Sequence, residues 1–390
     1  MAFLKIEHVK IAGIAACVPP KRVDNMDSDL VEDKKELEKY IETTGVRYRY
    51  IAEDGICSSD LCKAAADKLM AEMGVDKSEI GCLIMVTQTP DYIFPATACI
   101  LQDRLGLPTD CMSFDITMSC PGWIYGLSVM SSILSAGKVK KGLLLVGETS
   151  TKAKSPYDRV NLLAGDAGTA TLLEFKGDAH PLYFSMHSDG SNFKSLIIPD
   201  GGYRNPVTPA SFEYHECDDG ILRNRLNANM EGDDILSFAM HAAPKCIKGL
   251  LEHFEIPKEE IDYFLIHQAN RMINKLIQKR LKVDDEHCPY NIEEFGNSSS
   301  TTIPLMIAFF IVFFAFKNPD SAVVWWGSMI PFTSPIVMIA RIPYGVPVWE
   351  IALSVVLLVL TFIVLAYDRE EVKEFIYMLL SRLNVTVTGR

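Results

Sequence analysis

The sequence lacks cysteine pairs at metal-binding or disulfide-framework spacing, although it contains ten cysteines in 390 residues. The closest pair, Cys57 and Cys62, is not a C-x-x-C motif. Scattered thiols of this kind predict reduced cysteines in a reducing compartment and no metal site. The N-terminus also lacks an apolar signal core, so we do not expect secretion.

Positive charge is scarce, with 38 basic against 50 acidic residues and a net charge of −12. This balance excludes a protein that binds nucleic acid through general electrostatics. Charge of either sign is nearly absent between Pro304 and Ala366. The charged residues in that interval are Lys317, Asp320, Arg341 and Glu350. The chain therefore joins a charged first part to an apolar second part.

The first part alternates predicted strands and helices, which favours an α/β layer architecture. Its predicted strands are Lys5–Ala16, Cys82–Gln88, Lys141–Glu148, Thr169–Phe175, Tyr183–Ser188 and Ile261–Ile266. Its predicted helices are Asp29–Ile41, Ser58–Met73, Pro95–Leu105, Asp233–His253 and Arg271–Leu281. No short internal repeat is visible.

The stretch from Asp115 to Leu127 is the strongest chemical signal in the sequence. A β-prone run ends at Cys120-Pro-Gly, and a periodic apolar run follows. This pattern predicts a strand that turns into a helix at the thiol, with Pro121 at the first helical position. A helix N-terminus carries roughly half a positive charge, which favours the thiolate. An inert buried thiol is the alternative interpretation.

Two further residues lie where an acyl-transfer enzyme needs them. His267 follows the predicted strand Ile261–Ile266, at the end where α/β sheets display functional groups. Asn297 lies in Gly296-Asn-Ser-Ser-Ser, which could equally be a simple turn. A thiolate can attack a thioester carbonyl, while His and Asn donors stabilise the resulting oxyanion or enolate. We therefore take Cys120, His267 and Asn297 as the candidate catalytic residues.

Five motifs in register closely resemble the β-ketoacyl-acyl-carrier-protein synthase III family over residues 1 to about 305. They are Cys120-Pro-Gly-Trp-Ile-Tyr-Gly, Gly165-Asp-Ala-Gly, His187-Ser-Asp-Gly, His267-Gln-Ala-Asn270 and Gly296-Asn-Ser-Ser. The resemblance implies an α/β, thiolase-like, five-layer fold of two similar halves, residues 1–180 and 181–304. It also implies a decarboxylating Claisen condensation that initiates fatty acid or related acyl chain biosynthesis.

The resemblance also assigns substrates, partners and further site residues. Cys120 would accept a starter acyl group, and His267 with Asn297 would promote decarboxylation of a malonyl thioester. Phe94 matches the residue that a partner subunit inserts at the acyl pocket, while Arg159 and Asn270 match the pantetheine and nucleotide channel. The implied enzyme is a cytoplasmic homodimer that uses coenzyme A or acyl carrier protein thioesters, with no cofactor and no metal.

The sequence departs from the family pattern at two places. Members that use coenzyme A often place Trp and Arg before the Thr-Gly turn, where this chain has Lys39 and Thr43. Past Asn297 the family continues to a Gly-rich strand pair that completes the oxyanion hole, and nothing after Pro304 matches it. The second half is therefore predicted to be truncated, with poor turnover as a consequence.

An apolar tail, residues 305–390, replaces that strand pair. Val346–Ala366 is about as long as a bilayer is thick, and Leu305–Phe316 is apolar throughout. Residues 306–366 resemble the terminal membrane part of an ABC-type exporter permease. This resemblance predicts membrane contact through residues 305–366, and hence an inner-membrane association. The end, Tyr367–Arg390, resembles nothing that we can name.

The helix after His267 carries Arg271, Lys275 and Lys279 at four-residue intervals, on one face. An acidic acyl carrier protein would need such a local basic patch to dock on this acidic chain. A solvated helix face is an equally good interpretation.

Three hypotheses for function therefore stand. The chain is an acyl-transferring condensing enzyme, a membrane-embedded transport component, or a fused product that keeps the fold but is catalytically impaired. The first hypothesis rests on the five motifs, whereas the second rests on the tail alone.

Overall fold

The computed structural model of the protein describes residues 2–317 and 346–366. Its strands are β1 (Ala2–Ile6), β2 (Val9–Cys17), β3 (Lys21–Asp24), β4 (Tyr48–Ile51), β5 (Ile80–Val86), β6 (Met112–Ile116), β7 (Lys141–Glu148), β8 (Ala167–Phe175), β9 (Leu182–Met186), β10 (Leu196–Ile197), β11 (His215–Glu216), β12 (Leu222–Arg223) and β13 (Asn229–Met230). Its helices are α1 (Lys34–Thr44), α2 (Ser58–Met73), α3 (Thr97–Arg104), α4 (Gly122–Ser135), α5 (Gly232–His253), α6 (Arg271–Leu281), α7 (Ile292–Phe295), α8 (Thr302–Lys317) and α9 (Val348–Ala366).

A five-stranded mixed sheet carries the first half, in the order β2-β8-β7-β5-β6. Strand β7 runs parallel to β5, and β5 runs parallel to β6, whereas the β2–β8 and β8–β7 pairs are antiparallel. Strands β5 and β7 are apolar along almost their whole length because both faces of the sheet are covered. The predicted strand Lys141–Glu148 and the predicted helices Ser58–Met73 and Arg271–Leu281 are confirmed at both ends.

Alternate residues of the central strands feed two separate cores. Leu83, Met85 and Leu145 pack with α2 and α3 on one face, while Ile84 and Val146 pack with α4 on the other. This alternation follows from the two-residue period of a strand. The first half is therefore a three-layer α/β/α arrangement, as the strand and helix pattern predicts.

The second half differs from the expectation of a similar sheet. Ile261–Ile266, predicted as a strand, is not regular strand, although the Phe264 amide donates to the His287 carbonyl at 2.7 Å. Strand β9 pairs with β1 rather than with a neighbour in its own half. A strand persists only when a ladder partner accepts its backbone groups. Within residues 2–317 and 346–366, no second sheet of more than two strands forms.

The chain divides into compact units at residues 1–308 and 309–390, so the predicted boundary at residue 180 stays a prediction. Helix α9 occupies most of the predicted span Val346–Ala366. Among the described residues, no helix combines the length and apolar character needed to cross a membrane. The exporter-like stretch Ile330–Pro343 and the terminal Tyr367–Arg390 lie outside the described residues.

Gly168 in β8 lets helix α2 approach the sheet at backbone distance. A Cβ at Gly168 would lie 2.4 Å from the carbonyl carbon of Leu61 and from the amide nitrogen of Cys62. We expect Gly168→Ala to reduce the free energy of unfolding by about 1–3 kcal/mol, because backbone atoms must move. Chemical denaturation of both proteins measures this difference.

Gly177→Ala is the matched control, since a Cβ there meets nothing within 4 Å. The control should change the unfolding free energy by less than about 0.5 kcal/mol. Equal stability of the two variants would contradict close packing at Gly168.

Candidate active site

Cys120 lies between the end of β6 and the start of α4, as the strand-to-helix prediction requires. The amide of Gly122 donates to the carbonyl of Ser119 at 2.7 Å, which closes the turn around the half-buried thiol. Pro121 is the residue before the helix rather than its first residue, so the predicted start is wrong by one position. The turn still places the thiol at the helix N-terminus.

The Asn297 loop is fixed to the first half by its backbone. The amide of Asn297 donates to the Leu163 carbonyl at 2.7 Å, and the Gly165 amide donates to the Asn297 carbonyl at 3.1 Å. A Cβ at Gly165 would lie 2.1 Å from the carbonyl oxygen of Phe295. Gly165-Asp-Ala-Gly thus serves packing, because a larger residue would push the loop away.

Asp166 in the same motif is a buried anchor rather than a reacting group. Its carboxylate accepts the Ala52 amide at 2.8 Å and the Thr151 hydroxyl at 2.5 Å. Burial raises the pKa of Asp166, although these donors act in the opposite direction. The motif therefore holds the loop that Asn297 pairs with.

His267 is oriented by the residues that follow Asn297. Its Nδ1 lies 2.7 Å from the hydroxyl of Thr302, which itself donates to the Ser299 carbonyl at 3.1 Å. Nδ1 donates to Thr302 when the ring is protonated, whereas in the neutral ring the donor depends on the tautomer. His267 Nε2 is buried and has no hydrogen-bond partner among the described residues.

The Cys120 thiol and the His267 imidazole form a coupled acid–base pair. Burial alone would raise the pKa of Cys120, but the neighbouring His267 charge lowers that pKa to about 6. Burial also opposes protonation of His267, yet the Cys120 thiolate raises the pKa of the imidazole. The two shifts therefore favour a thiolate and an imidazolium over a neutral thiol and a neutral imidazole. His267, more than the helix N-terminus, is the cause.

Asn297 offers a side-chain amide at the same place. Its Oδ1 accepts the Ser299 amide at 2.9 Å, and its Nδ2 donates to the Ala269 carbonyl at 3.3 Å. Since Nδ2 carries two protons, one N–H can still reach a bound oxygen. In the described part of the chain, no three His, Cys, Asp or Glu residues are grouped to hold a metal ion.

Sequence reasoning missed two groups, Thr302 and the buried carboxyl of Glu148. Glu148 ends β7, is 1% exposed and accepts the Ser300 hydroxyl at 2.9 Å. A charged residue closing an otherwise apolar strand is unusual, and that signal could have identified it. Thr302 gave no such signal, because threonine is common in turns.

The other predicted substrate contacts are placed as follows. The Phe94 side chain is 78% exposed. Arg159 forms an ion pair with Glu36 at 2.6 Å, so its guanidinium already has a partner. The Asn270 Oδ1 accepts the Ile273 amide at 2.8 Å and caps α6, so that oxygen has a structural role.

The predicted basic face of α6 is largely neutralised. Arg271 pairs with Glu293 at 3.2 Å, and Lys275 pairs with Asp285 at 2.5 Å. Lys279 is exposed and has no ion-pair partner among the described residues. Neighbouring loops thus supply acids that the helical spacing does not reveal, and the docking role of the three residues stays a prediction.

A thiolate at a strand-to-helix turn, an imidazolium beside it and an amide donor nearby define an acyl-transferring thiol enzyme. Residues 114–190 match the sequence profile of 3-oxoacyl-(acyl-carrier-protein) synthase III, and residues 251–325 match its C-terminal profile. A Campylobacter jejuni protein named as a 3-oxoacyl-(acyl-carrier-protein) synthase 3 is 33% identical over 309 residues, 78% of this chain and 87% of that protein.

Other relatives agree with these matches. The β-ketoacyl-(acyl-carrier-protein) synthase III of Streptococcus pneumoniae is 33% identical over 79% of this chain and 90% of its own. The crystal structure of a 3-oxoacyl-(acyl-carrier protein) synthase from Burkholderia xenovorans superposes with a TM-score of 0.75 at 35% identity, covering 81% of this chain and 89% of that one. The chain belongs to the 3-oxoacyl-(acyl-carrier-protein) synthase III family, and its fold is thiolase-like.

The apolar part has a separate relationship. Residues 292–367 match the profile of the ABC-2 family transporter protein, which confirms the resemblance drawn from the sequence. This match overlaps the C-terminal synthase profile over residues 292–325. The two matches therefore overlap across the Asn297 loop and helix α8.

The thiolate–imidazolium pair predicts the reactivity of Cys120. Alkylation by iodoacetamide should be half-maximal near pH 6, matching the lowered pKa of Cys120. His267→Ala removes the stabilising charge, so the half-maximal pH should rise by about two units or more. Mass spectrometry of the modified peptide measures each rate.

The exposed thiol of Cys99 is the internal control, and its profile should be the same in both proteins. If Cys120 reacted with the same pH dependence in parent and variant, the pair would not be coupled.

Proposed function

We propose that the protein catalyses the decarboxylating Claisen condensation of a starter acyl thioester with malonyl-acyl carrier protein, initiating an acyl chain. The observation that carries this proposal is the coupling of Cys120 to His267 beside Asn297, in a chain of the synthase III family. Condensation assays with purified full-length protein, acyl donors and malonyl-acyl carrier protein test it, with the 3-oxoacyl product as readout.

In the first half-reaction the Cys120 thiolate attacks the carbonyl carbon of the starter thioester. A new carbon–sulfur bond forms, and the old one breaks to release the donor thiolate, which takes up the proton that the Cys120 thiol had given to His267. The lowered pKa of Cys120 supports this step, because the nucleophile is already ionised at neutral pH.

In the second half-reaction the malonyl thioester loses carbon dioxide and leaves an enolate. With Cys120 acylated, the thiolate no longer favours the imidazolium, so His267 acts as a neutral ring with its proton on Nε2. This N–H and one N–H of Asn297 are suited to bind the enolate oxygen. The enolate carbon then attacks the acyl group on Cys120, and the regenerated thiolate leaves. Thr302 supports this role by holding the His267 ring through Nδ1.

A transport function is not favoured, although residues 292–367 match a transporter profile. The relatives named as synthases cover more than three quarters of the chain. Membrane contact through residues 305–366 remains a prediction, supported by the apolar sequence and by that match. Cytoplasmic location of residues 1–304 also remains a prediction.

A homodimer is the proposed assembly. The side chains of Tyr92, Ile93 and Phe94 are 63%, 76% and 78% exposed, which is unusual for three consecutive large apolar residues. Strand β6 lies at the edge of the sheet and leaves one row of backbone groups for a partner strand. Both features support a second subunit at this side of the first half.

Coenzyme A or acyl carrier protein thioesters are the proposed substrates, with acyl carrier protein as the partner. No resident cofactor or metal is needed, because the thiolate, the imidazolium and the amide supply each reacting group. Arg159 and Asn270 are proposed to line the pantetheine channel. The nucleotide would then either bind Arg159 alongside Glu36 or replace Glu36 as its partner.

Acyl labelling separates the two half-reactions. A radiolabelled short acyl thioester should label Cys120 and no other cysteine, and Cys120→Ser should remove the label. His267→Ala and Asn297→Ala should reduce malonyl decarboxylation by about 10² to 10³, more than they reduce acyl loading, because both residues bind the enolate. Label that persists in Cys120→Ser would exclude Cys120 as the nucleophile.

Carrier-protein docking is tested at Lys279, the α6 lysine without an ion pair among the described residues. Lys279→Glu should weaken use of carrier-bound malonate, and the effect should be larger at low salt because exposed charges are screened. Steady-state rates across a salt series measure it.

Lys275→Glu is the comparison. Because Lys275 is already paired with Asp285, this variant should weaken the initial association with the carrier protein less than Lys279→Glu does. Rates that are equal for parent and Lys279→Glu at every salt concentration would exclude the docking role.

A further inference from the structure

Glu148 has three hydrogen-bond donors around a fully buried carboxyl group. Its Oε1 accepts the Ser300 hydroxyl at 2.9 Å and the Gln88 amide at 3.2 Å. Its Oε2 accepts the Thr89 hydroxyl at 3.2 Å, and the Gln88 amide lies 3.3 Å from this oxygen too. The carboxyl thereby joins three segments: the end of β7, the segment after β5 and the Asn297 loop.

The position of Glu148 also brings its charge close to the nucleophile. Burial, with a smaller contribution from the charge of Cys120, raises the pKa of Glu148 to about 7, although its hydrogen-bond donors act in the opposite direction. The other titratable group facing it is Cys62 of α2, whose own pKa is raised by burial, so that thiol stays neutral. Cys120 is thus the charged neighbour that Glu148 meets near neutral pH.

We propose that Glu148 is a positioning residue of the active site, which clamps the Asn297 loop to the sheet and sets the charge that surrounds Cys120. The clamp runs through Ser300, three residues after Asn297, and so fixes the amide relative to the thiolate. The charge acts at short range, because the Ser300 that Glu148 binds packs against Gly122, two residues after Cys120: a Cβ at Gly122 would lie 3.0 Å from the Ser300 Cβ. Nothing in the two half-reactions proposed above uses this carboxyl.

The state of Glu148 matters most when the incoming group is itself an anion. A neutral carboxyl tolerates both the thiolate and a carboxylate on the substrate, whereas an ionised one repels both. The malonyl group carries such a carboxylate, so the inference rests on the proposed function in this respect. The test of the charge role, however, needs only thiol reagents.

Two thiol reagents of similar shape separate the effect of the local charge from the accessibility of the Cys120 thiol. Iodoacetamide is neutral and iodoacetate is an anion, so their rate ratio at Cys120 reports the local charge. In the parent the iodoacetate-to-iodoacetamide ratio should fall about threefold or more between pH 6 and 8, as Glu148 ionises. Glu148→Gln keeps the size and an acceptor oxygen but cannot ionise, so this fall should be lost.

Glu174→Gln is the matched control, because Glu174 lies on β8 of the same sheet and pairs with Lys10 at 3.1 Å. This variant removes one negative charge but should keep the parent ratio profile. Identical profiles for parent and Glu148→Gln would overturn the charge role. If Glu148→Gln did not fold, a parent ratio that is constant from pH 6 to 8 would overturn it as well.

Ser300→Ala tests the clamp, since it removes one donor and leaves the Glu148 charge in place. The fall in the ratio should be kept but move to higher pH, because the Ser300 donor lowers the pKa of Glu148. Malonyl decarboxylation should fall about tenfold, because the Asn297 loop is less constrained. Unchanged decarboxylation would overturn the clamp. A chain in which Cys120 is never acylated but the ratio still depends on Glu148 would refute the proposed function and leave this inference intact.

Discussion

The active site depends on two backbone hydrogen bonds that join Asn297 to Leu163 and to Gly165. They attach the second half of the chain to the edge of the first, next to the turn that carries Cys120. Side chains alone could not do this, because their rotamers leave more freedom than a closed backbone pair. Glycine is required at residue 165, since a Cβ there would meet the Phe295 carbonyl at 2.1 Å. The geometry around Cys120 and His267 is therefore held by residues outside the candidate catalytic set.

The electrostatics of the site follow from that attachment. Once the Asn297 loop is in place, Thr302 turns the His267 ring so that Nδ1 is occupied and Nε2 is left without a partner. The ring then stabilises the Cys120 thiolate across the join between the halves. A helix N-terminus contributes the same sign of charge, but a full imidazolium nearby has the larger effect.

The sequence predicted best where a signal is local. The ends of β7 and α6, the αL cap at Gly74 and the turn at Cys120 depend on neighbours a few residues away. Ile261–Ile266 has the composition of a strand. A strand also needs partner strands, however, and the sequence of this segment does not indicate whether they are present. Glu148 and the ion pairs of α6 were missed for the same reason, because their partners are 60 to 152 residues distant or lie on other loops.

The two halves of the chain should differ in the free energy of local unfolding. Cys120 follows a strand of a sheet whose central strands are fully buried. The amides of those central strands should therefore exchange with solvent only on global unfolding. His267 follows a segment that is not part of any ladder, and such segments open at lower free energy. A sub-global fluctuation could then withdraw the imidazolium while the thiol stays in place. The pKa of the Cys120 thiol would then return to its ordinary value, and the thiol would lose reactivity while the sheet stays folded.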